Sequence, residues 1–148
     1  MRIRSLRVGY ARQRMLFGQE HVKRYRETDG AEGHDWNGAT VLILTTTGRR
    51  SGEQRSTPLI YRKHGDDQVV VASKGGAEEH PSWYLNLVAD PEVTVQVLGD
   101  RFTARARTAT PDEKPELWRL MTESWPPYDE YQRKTTRDIP VVILERQG

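Results

Sequence analysis

The stretch Thr40-Val41-Leu42-Ile43-Leu44-Thr45-Thr46-Thr47-Gly48-Arg49-Arg50-Ser51-Gly52 decides how this chain folds. Residues 40–46 carry no charge and are all β-branched or leucine, the composition of a strand buried on both faces or nearly so. The chain must then turn across Gly48–Gly52. Working outward, Thr57–Lys63 and Gln68–Ser73 flank His64-Gly65-Asp66-Asp67, which reads as a hairpin with a four-residue loop. Val93–Val97 and Phe102–Thr108 alternate on either side of Leu98-Gly99-Asp100-Arg101, a second hairpin with one wet face. Pro140–Glu145 supplies a closing strand.

Two helices interrupt these strands. One follows Glu79-His80-Pro81, with proline suited to the first helical position. The other is announced by Thr110-Pro111-Asp112-Glu113, which pairs a threonine cap with a glutamate three residues on. Pro115 would crowd the first turn of that helix, so a start at Pro115 is the alternative. Several short strands without strand–helix alternation predict an α+β fold, a small antiparallel barrel rather than a doubly wound sheet.

The chain has 148 residues, 35% hydrophobic and 30% charged, enough for one domain with its own core. Its clean apolar run Val41–Leu44 falls far short of the roughly 20 residues of a membrane span. No apolar segment follows the basic start as a secretory signal requires. Cysteine is absent, which excludes disulfides, thiolate metal sites and cysteine nucleophiles. A cytoplasmic protein is the expectation.

Charge divides the chain unevenly. Residues 1–28 hold Arg2, Arg4, Arg7, Arg12, Arg14, Lys23, Arg24 and Arg26 against Glu20 and Glu27, while the whole chain is only +2. We therefore read residues 1–35 as a basic arm and linker and residues 36–148 as the barrel. Such an arm can serve an anionic partner or be a solvated helix. Beyond residue 28 acidic residues outnumber basic ones, so no nucleic acid is expected. Peripheral membrane contact through the arm has no amphipathic stripe to support it.

Three segments can carry chemistry. The turn from Thr45 to Arg55 places Arg49, Arg50 and Arg55 among glycines and hydroxyls. Guanidinium forks match phosphate or carboxylate oxygens two at a time, and glycine lets backbone approach an oxyanion closely. The spacing is not that of a Walker loop. Ser73-Lys74-Gly75-Gly76 ends another strand and offers a hydroxyl, a cation and backbone N–H groups. If these two loops follow adjacent strands, they point the same way. Trp125-Pro126-Pro127-Tyr128-Asp129-Glu130-Tyr131 stiffens the chain and sets two tyrosines three apart, on one side of a helical turn. It can cap a planar ligand or seal the core. The four histidines show no metal-ligand spacing, no metal is expected, and no nucleophile elbow occurs. An enzyme built this way borrows its reactive group from a cofactor.

Together, LTTTGRRSGEQRSTPL, VVVASKGGAEEHPSWYLNLVADPEVTVQV, ARTATPDE, PPYDEYQRKT and IPVVILE resemble the deazaflavin-dependent nitroreductase family. The resemblance runs from about Thr40 to Glu145. It implies a split β-barrel of the FMN-binding type that binds coenzyme F-420, an 8-hydroxy-5-deazaflavin, with FMN as the alternative cofactor. Arg49, Arg50 and Arg55 are then implied at the cofactor's phosphodiester. Ser73, Lys74, Gly75 and Gly76 lie along the deazaflavin and its linker, with Trp83 and Asn86 shaping the pocket. The late tyrosines Tyr128 and Tyr131 line the acceptor side. The implied reaction is hydride transfer to an electron-poor acceptor such as a quinone, activated alkene or nitroaromatic. Ser73, Tyr128 and Tyr131 are the implied hydrogen-bonding or proton-donating groups. Ile60 and Trp125 stand where some relatives carry tyrosine, so this acceptor pocket has fewer phenols and more bulk. Non-catalytic deazaflavin binding is the alternative function, and related barrels occur both as monomers and as homodimers.

Overall fold

A computed structural model of the protein describes residues 15–148. The first part of the basic arm, residues 1–14, lies outside the described residues. Helix α1 (Gly18–Thr28) leads into β1 (Asp35–Trp36), β2 (Ala39–Thr47), β3 (Gln54–Ile60), β4 (Arg62–His64) and β5 (Asp67–Val71). A single 3-10 turn (Lys74–Gly76) then precedes α2 (Ser82–Ala89). The hairpin β6 (Glu92–Val97) and β7 (Asp100–Thr108) follows, then α3 (Lys114–Ser124), α4 (Pro127–Arg133) and β8 (Val141–Arg146).

All strand pairs are antiparallel. The strand order is β1-β2-β6-β7-β8-β5-β4, with β3 added to β2, and the sheet curls into a half-barrel of the expected α+β class. Strand β2 is buried on both faces, as its composition predicted. Leu42 and Leu44 enter the interior with Val70, Val95 and Leu144, while Val41 and Ile43 lie under α1 beside Val22 and Tyr25. A further cluster joins Val69, Val71 and Ile143 to Leu117, Met121 and Tyr128 of α3 and α4.

Helix α1 falls within the stretch read as arm. Against the expectation that the arm has no amphipathic stripe, its exposed cations sit around a narrow buried one, since His21, Val22 and Tyr25 are buried and the Tyr25 hydroxyl accepts from the Leu98 N–H at 2.8 Å. That is enough to dock an otherwise polar helix. Arg26 reaches over β2 and β3, donating to Thr45 Oγ1 at 3.1 Å and Ser56 Oγ at 2.7 Å.

Two expectations are corrected. Thr57–Lys63 is not one strand: β3 pairs with β2, β4 pairs with β5, and the chain changes partner at Tyr61. There the Tyr61 N–H donates to Thr40 O at 3.0 Å, its carbonyl accepts from Thr40 Oγ1 at 3.1 Å, and its ring is buried in the interior. The strands ahead of the two glycine-bearing loops, β2 and β5, are also not neighbours in the sheet. It is β3, the strand after the arginine turn, that reaches β5 across the curled sheet. The helix after Thr110 starts at Lys114, with Pro115 tolerated in its first turn where no N–H is required. The cap itself forms reciprocally: Thr110 N–H donates to Glu113 Oε1 at 2.8 Å, and Glu113 N–H donates to Thr110 Oγ1 at 3.3 Å.

Candidate functional site

The turn between β2 and β3 is closed by two backbone hydrogen bonds, Gly48 N–H to Glu53 O at 2.7 Å and Gly52 N–H to Gly48 O at 2.8 Å. Closure leaves Arg49, Arg50 and Ser51 at the tip. Arg49 does not swing freely. Asn86 Oδ1, on α2, accepts from the Arg49 backbone N–H at 3.1 Å and from Nη1 at 2.8 Å. Asn86 is buried and donates in turn to Thr46 Oγ1 at 3.3 Å. Arg55 sits opposite Thr46 in the β2–β3 register, 3.6 Å from Glu53 and well exposed. Arg50 has no ion-pair partner among the described residues. The three arginines, Ser51, Asn86 and Trp83 border a cleft of about 490 Å³. Three guanidiniums with one weak carboxylate contact form a positive cradle for oxyanions.

A second cavity of about 420 Å³ opens beside it, lined by Ile60, Ser73, Trp125, Tyr128 and Tyr131 among others. Lys74 and Gly75 contribute to its wall, and Thr57 and Trp83 border both spaces. One space is therefore basic, the other mainly aromatic, and they adjoin. Short helix α4 stacks the Tyr128 and Tyr131 rings edge to face at 6.0 Å. Tyr131 Oη accepts from Trp125 Nε1 at 3.3 Å, and Trp125 packs on Trp36 at 5.4 Å. Tyr128 is buried, which pushes its phenol well above the usual tyrosine range and keeps it protonated. Neither the Tyr128 hydroxyl nor the Ser73 hydroxyl has a hydrogen-bond partner among the described residues. Both residues line the cavity, so each brings a hydroxyl without an internal partner to its wall.

The loop from Ser73 is wound tightly, with Lys74, Gly75 and Gly76 at φ of 47°, 64° and 88°. Gly76 does not reach the cavity. It is buried against α4, where a Cβ would stand 2.7 Å from the Tyr131 carbonyl oxygen. Lys74 Nζ pairs with Glu79 at 3.0 Å.

The structure thus gathers Arg49, Arg50, Arg55, Trp83 and Asn86 at one end and Ser73, Lys74, Gly75, Ile60, Trp125, Tyr128 and Tyr131 at the other. Sequence reasoning missed Gln19 and Ser56 in the basic cleft and Phe17, His21 and Trp36 in the aromatic wall. His21 Nε2 donates to Gly33 O at 2.9 Å, and Trp36 Nε1 to Leu16 O at 2.9 Å. Trp36 sits in a breaker-rich segment and is half-buried, and only its size signalled a packing role.

Comparison with known proteins agrees with this geometry. A model of the family described as F420H(2)-dependent quinone reductase matches residues 17–146. An F420H(2)-dependent quinone reductase of Mycobacterium tuberculosis (strain H37Rv) is 40% identical over 131 residues, covering 86% of this chain and 88% of that protein. Among solved structures, the F420-H2 dependent reductase FDR-A is 43% identical with a TM-score of 0.67, over 71% of this chain and 93% of that one. A domain-swapped dimer is 40% identical with a TM-score of 0.70, over 86% and 96%. The expected deazaflavin-using family and its split-barrel type of fold are both borne out, and the chain belongs to the F420H(2)-dependent quinone reductase family.

Proposed function

We propose that this protein transfers a hydride from reduced coenzyme F-420 to a quinone-type acceptor. The observation that carries this reading is the junction of a three-arginine cleft with an aromatic cavity across Trp83 and Thr57. An extended cofactor with a planar ring and an anionic tail fits that shape and charge. Arg49, Arg50 and Arg55 would hold the phosphodiester, with Asn86 fixing Arg49. Ser73, Lys74 and Gly75 would flank the ring, and Trp83 would stand where the two parts meet. When bound, the reduced deazaflavin supplies the hydride at C5.

The protein's contribution is orientation, exclusion of water and a proton or hydrogen bond at the acceptor oxygen. Hydride arrival on a quinone leaves an oxyanion that must be hydrogen-bonded and protonated to give the quinol. The free hydroxyls of Tyr128 and Ser73 are the groups placed to do this. Tyr131 accepts from Trp125, and its own O–H remains to donate on the same wall. Ile60 and Trp125 make the acceptor side apolar and bulky, which favours planar acceptors over those needing several donors.

The test is to mix the protein with reduced coenzyme F-420 and a soluble naphthoquinone and follow cofactor oxidation. Tyr128→Phe and Ser73→Ala should each slow turnover on the order of tenfold, the worth of one charge-assisted hydrogen bond, with cofactor affinity nearly intact. Unchanged turnover in both removes them from the reaction. Binding without quinone reduction favours the non-catalytic reading.

Among the described residues no helix is long and apolar enough to cross a membrane. The domain-swapped relative supports a homodimer over a monomer for this chain. The cations of α1 would add to the field drawing an anionic cofactor in.

A further inference from the structure

Arg137, between α4 and β8, borders neither cavity, yet its guanidinium is committed to the loop that does. Nε donates to Ala77 O at 2.7 Å, and Nη2 to Ser73 O at 2.7 Å. Nη1 donates to Ala72 O at 3.2 Å and to His80 Nδ1 at 3.1 Å. The acceptors bracket Lys74, Gly75 and Gly76, the consecutive residues with left-handed backbone. Such a conformation costs energy at Lys74 and persists only where the surroundings impose it.

The charge is as unusual as the fork. No carboxylate pairs with Arg137 among the described residues. Its remaining side-chain partner is an imidazole that must be accepting at Nδ1, because a guanidinium has only donors. Burial and the neighbouring guanidinium hold His80 below the usual histidine range, so the ring stays neutral and adds no second cation. With no carboxylate to neutralise it, the guanidinium is offset only by the dipoles of its neutral acceptors and leaves a net positive charge beside the loop that lines the cavity.

We propose that Arg137 is a positioning residue for the ring side of the site: its fork fixes the Ser73–Ala77 loop, and its uncompensated charge favours the more electron-rich redox form of a ring bound there. This rests on the deazaflavin reading above. The two roles separate under substitution. Arg137→Lys keeps the charge but offers a compact ammonium in place of the planar fork, whereas Arg137→Gln loses both.

The first measurement uses the protein alone, by amide hydrogen exchange. Residues 74–77 should exchange at least about tenfold faster in both variants than in the wild type, with the β6–β7 hairpin unchanged as the check on folding. The second measures affinity for oxidised and for reduced coenzyme F-420 by fluorescence and by anaerobic titration. Both variants should bind on the order of tenfold more weakly. Only Arg137→Gln should also lose preference for the reduced form, by about tenfold, equivalent to about 30 mV for a two-electron couple. Wild-type exchange at residues 74–77 in both variants overturns the clamp. An equal redox preference in wild type and Arg137→Gln overturns the electrostatic role. A wild-type protein that binds no deazaflavin counts against the proposed function instead, and the exchange measurement still decides the clamp.

Discussion

Asn86 is where the fold and the basic cleft meet, so its replacement tests both. Its Oδ1 accepts two hydrogen bonds from Arg49, and its amide donates to the fully buried Thr46. Asn86→Ala removes all three. Neutral bonds contribute about 0.5–1.5 kcal/mol each and a bond to a charged group about 1.5–3 kcal/mol. Arg49 can recover water at the cleft rim, so the net loss should be about 3 kcal/mol, a fall in Tm of roughly 6–12 °C for a chain of this size. Asn86→Asp behaves differently. It keeps an oxygen facing Arg49, and the Thr46 hydroxyl can turn to donate, so Tm should change little. The new carboxylate, however, pairs with the guanidinium that should face the ligand, and affinity for coenzyme F-420 should fall by about tenfold or more. Scanning fluorimetry and a fluorescence titration on both variants read the two quantities apart. An Asn86→Ala protein melting like the wild type would refute the seating of Arg49. An Asn86→Asp protein with unchanged affinity would refute the role of Arg49 as an anion ligand.

Two further perturbations follow from local geometry. Gly76→Ala places a Cβ 2.7 Å from the Tyr131 carbonyl at φ of 88°, whereas Gly75→Ala at φ of 64° meets nothing within 4 Å. Urea unfolding should therefore show a loss of about 1 kcal/mol for Gly75→Ala and roughly 2–4 kcal/mol for Gly76→Ala; equal losses would contradict the packing of the loop on α4. The Glu113 carboxyl is held down to about 2 by its hydrogen bonds to Arg107 and to the Thr110 N–H. Because the folded value lies below the unfolded one, its stabilisation is fully present above about pH 4.5 and is lost as pH falls toward about 2. The difference in urea midpoint between wild type and Glu113→Gln should shrink across that window, and a difference independent of pH would show that the ion pair contributes nothing.

Much of the fold was legible because each signal was local. The uncharged run Thr40–Thr46 could only be a strand with both faces covered, Val93–Val97 and Phe102–Thr108 alternate, and Thr110 with Glu113 form a cap. The exchange of partners at Tyr61 was not legible, since period-two alternation reads the same through a strand that changes neighbours. Nor was the approach of β3 to β5, which pair with different strands of the curled sheet. Within the site, arginines in a glycine turn and aromatics between prolines announce their chemistry by type. Asn86 came only through the resemblance, and its reason appears once Arg49 is seen seated on it. Arg137 gave no signal, because an arginine turned inward onto carbonyls looks in sequence like any solvated one. The same holds for α1, where a stripe of three buried residues hides among exposed cations.

The most direct test of the account is a fluorescence titration of the purified protein with coenzyme F-420 beside FMN under identical conditions. A single cofactor spanning the basic cleft and the aromatic cavity predicts that the deazaflavin binds more tightly than FMN. It also predicts that Arg49→Ala and Arg55→Ala each weaken that binding and that raised salt weakens it further. Preference for FMN, or deazaflavin binding indifferent to both arginines, would contradict it.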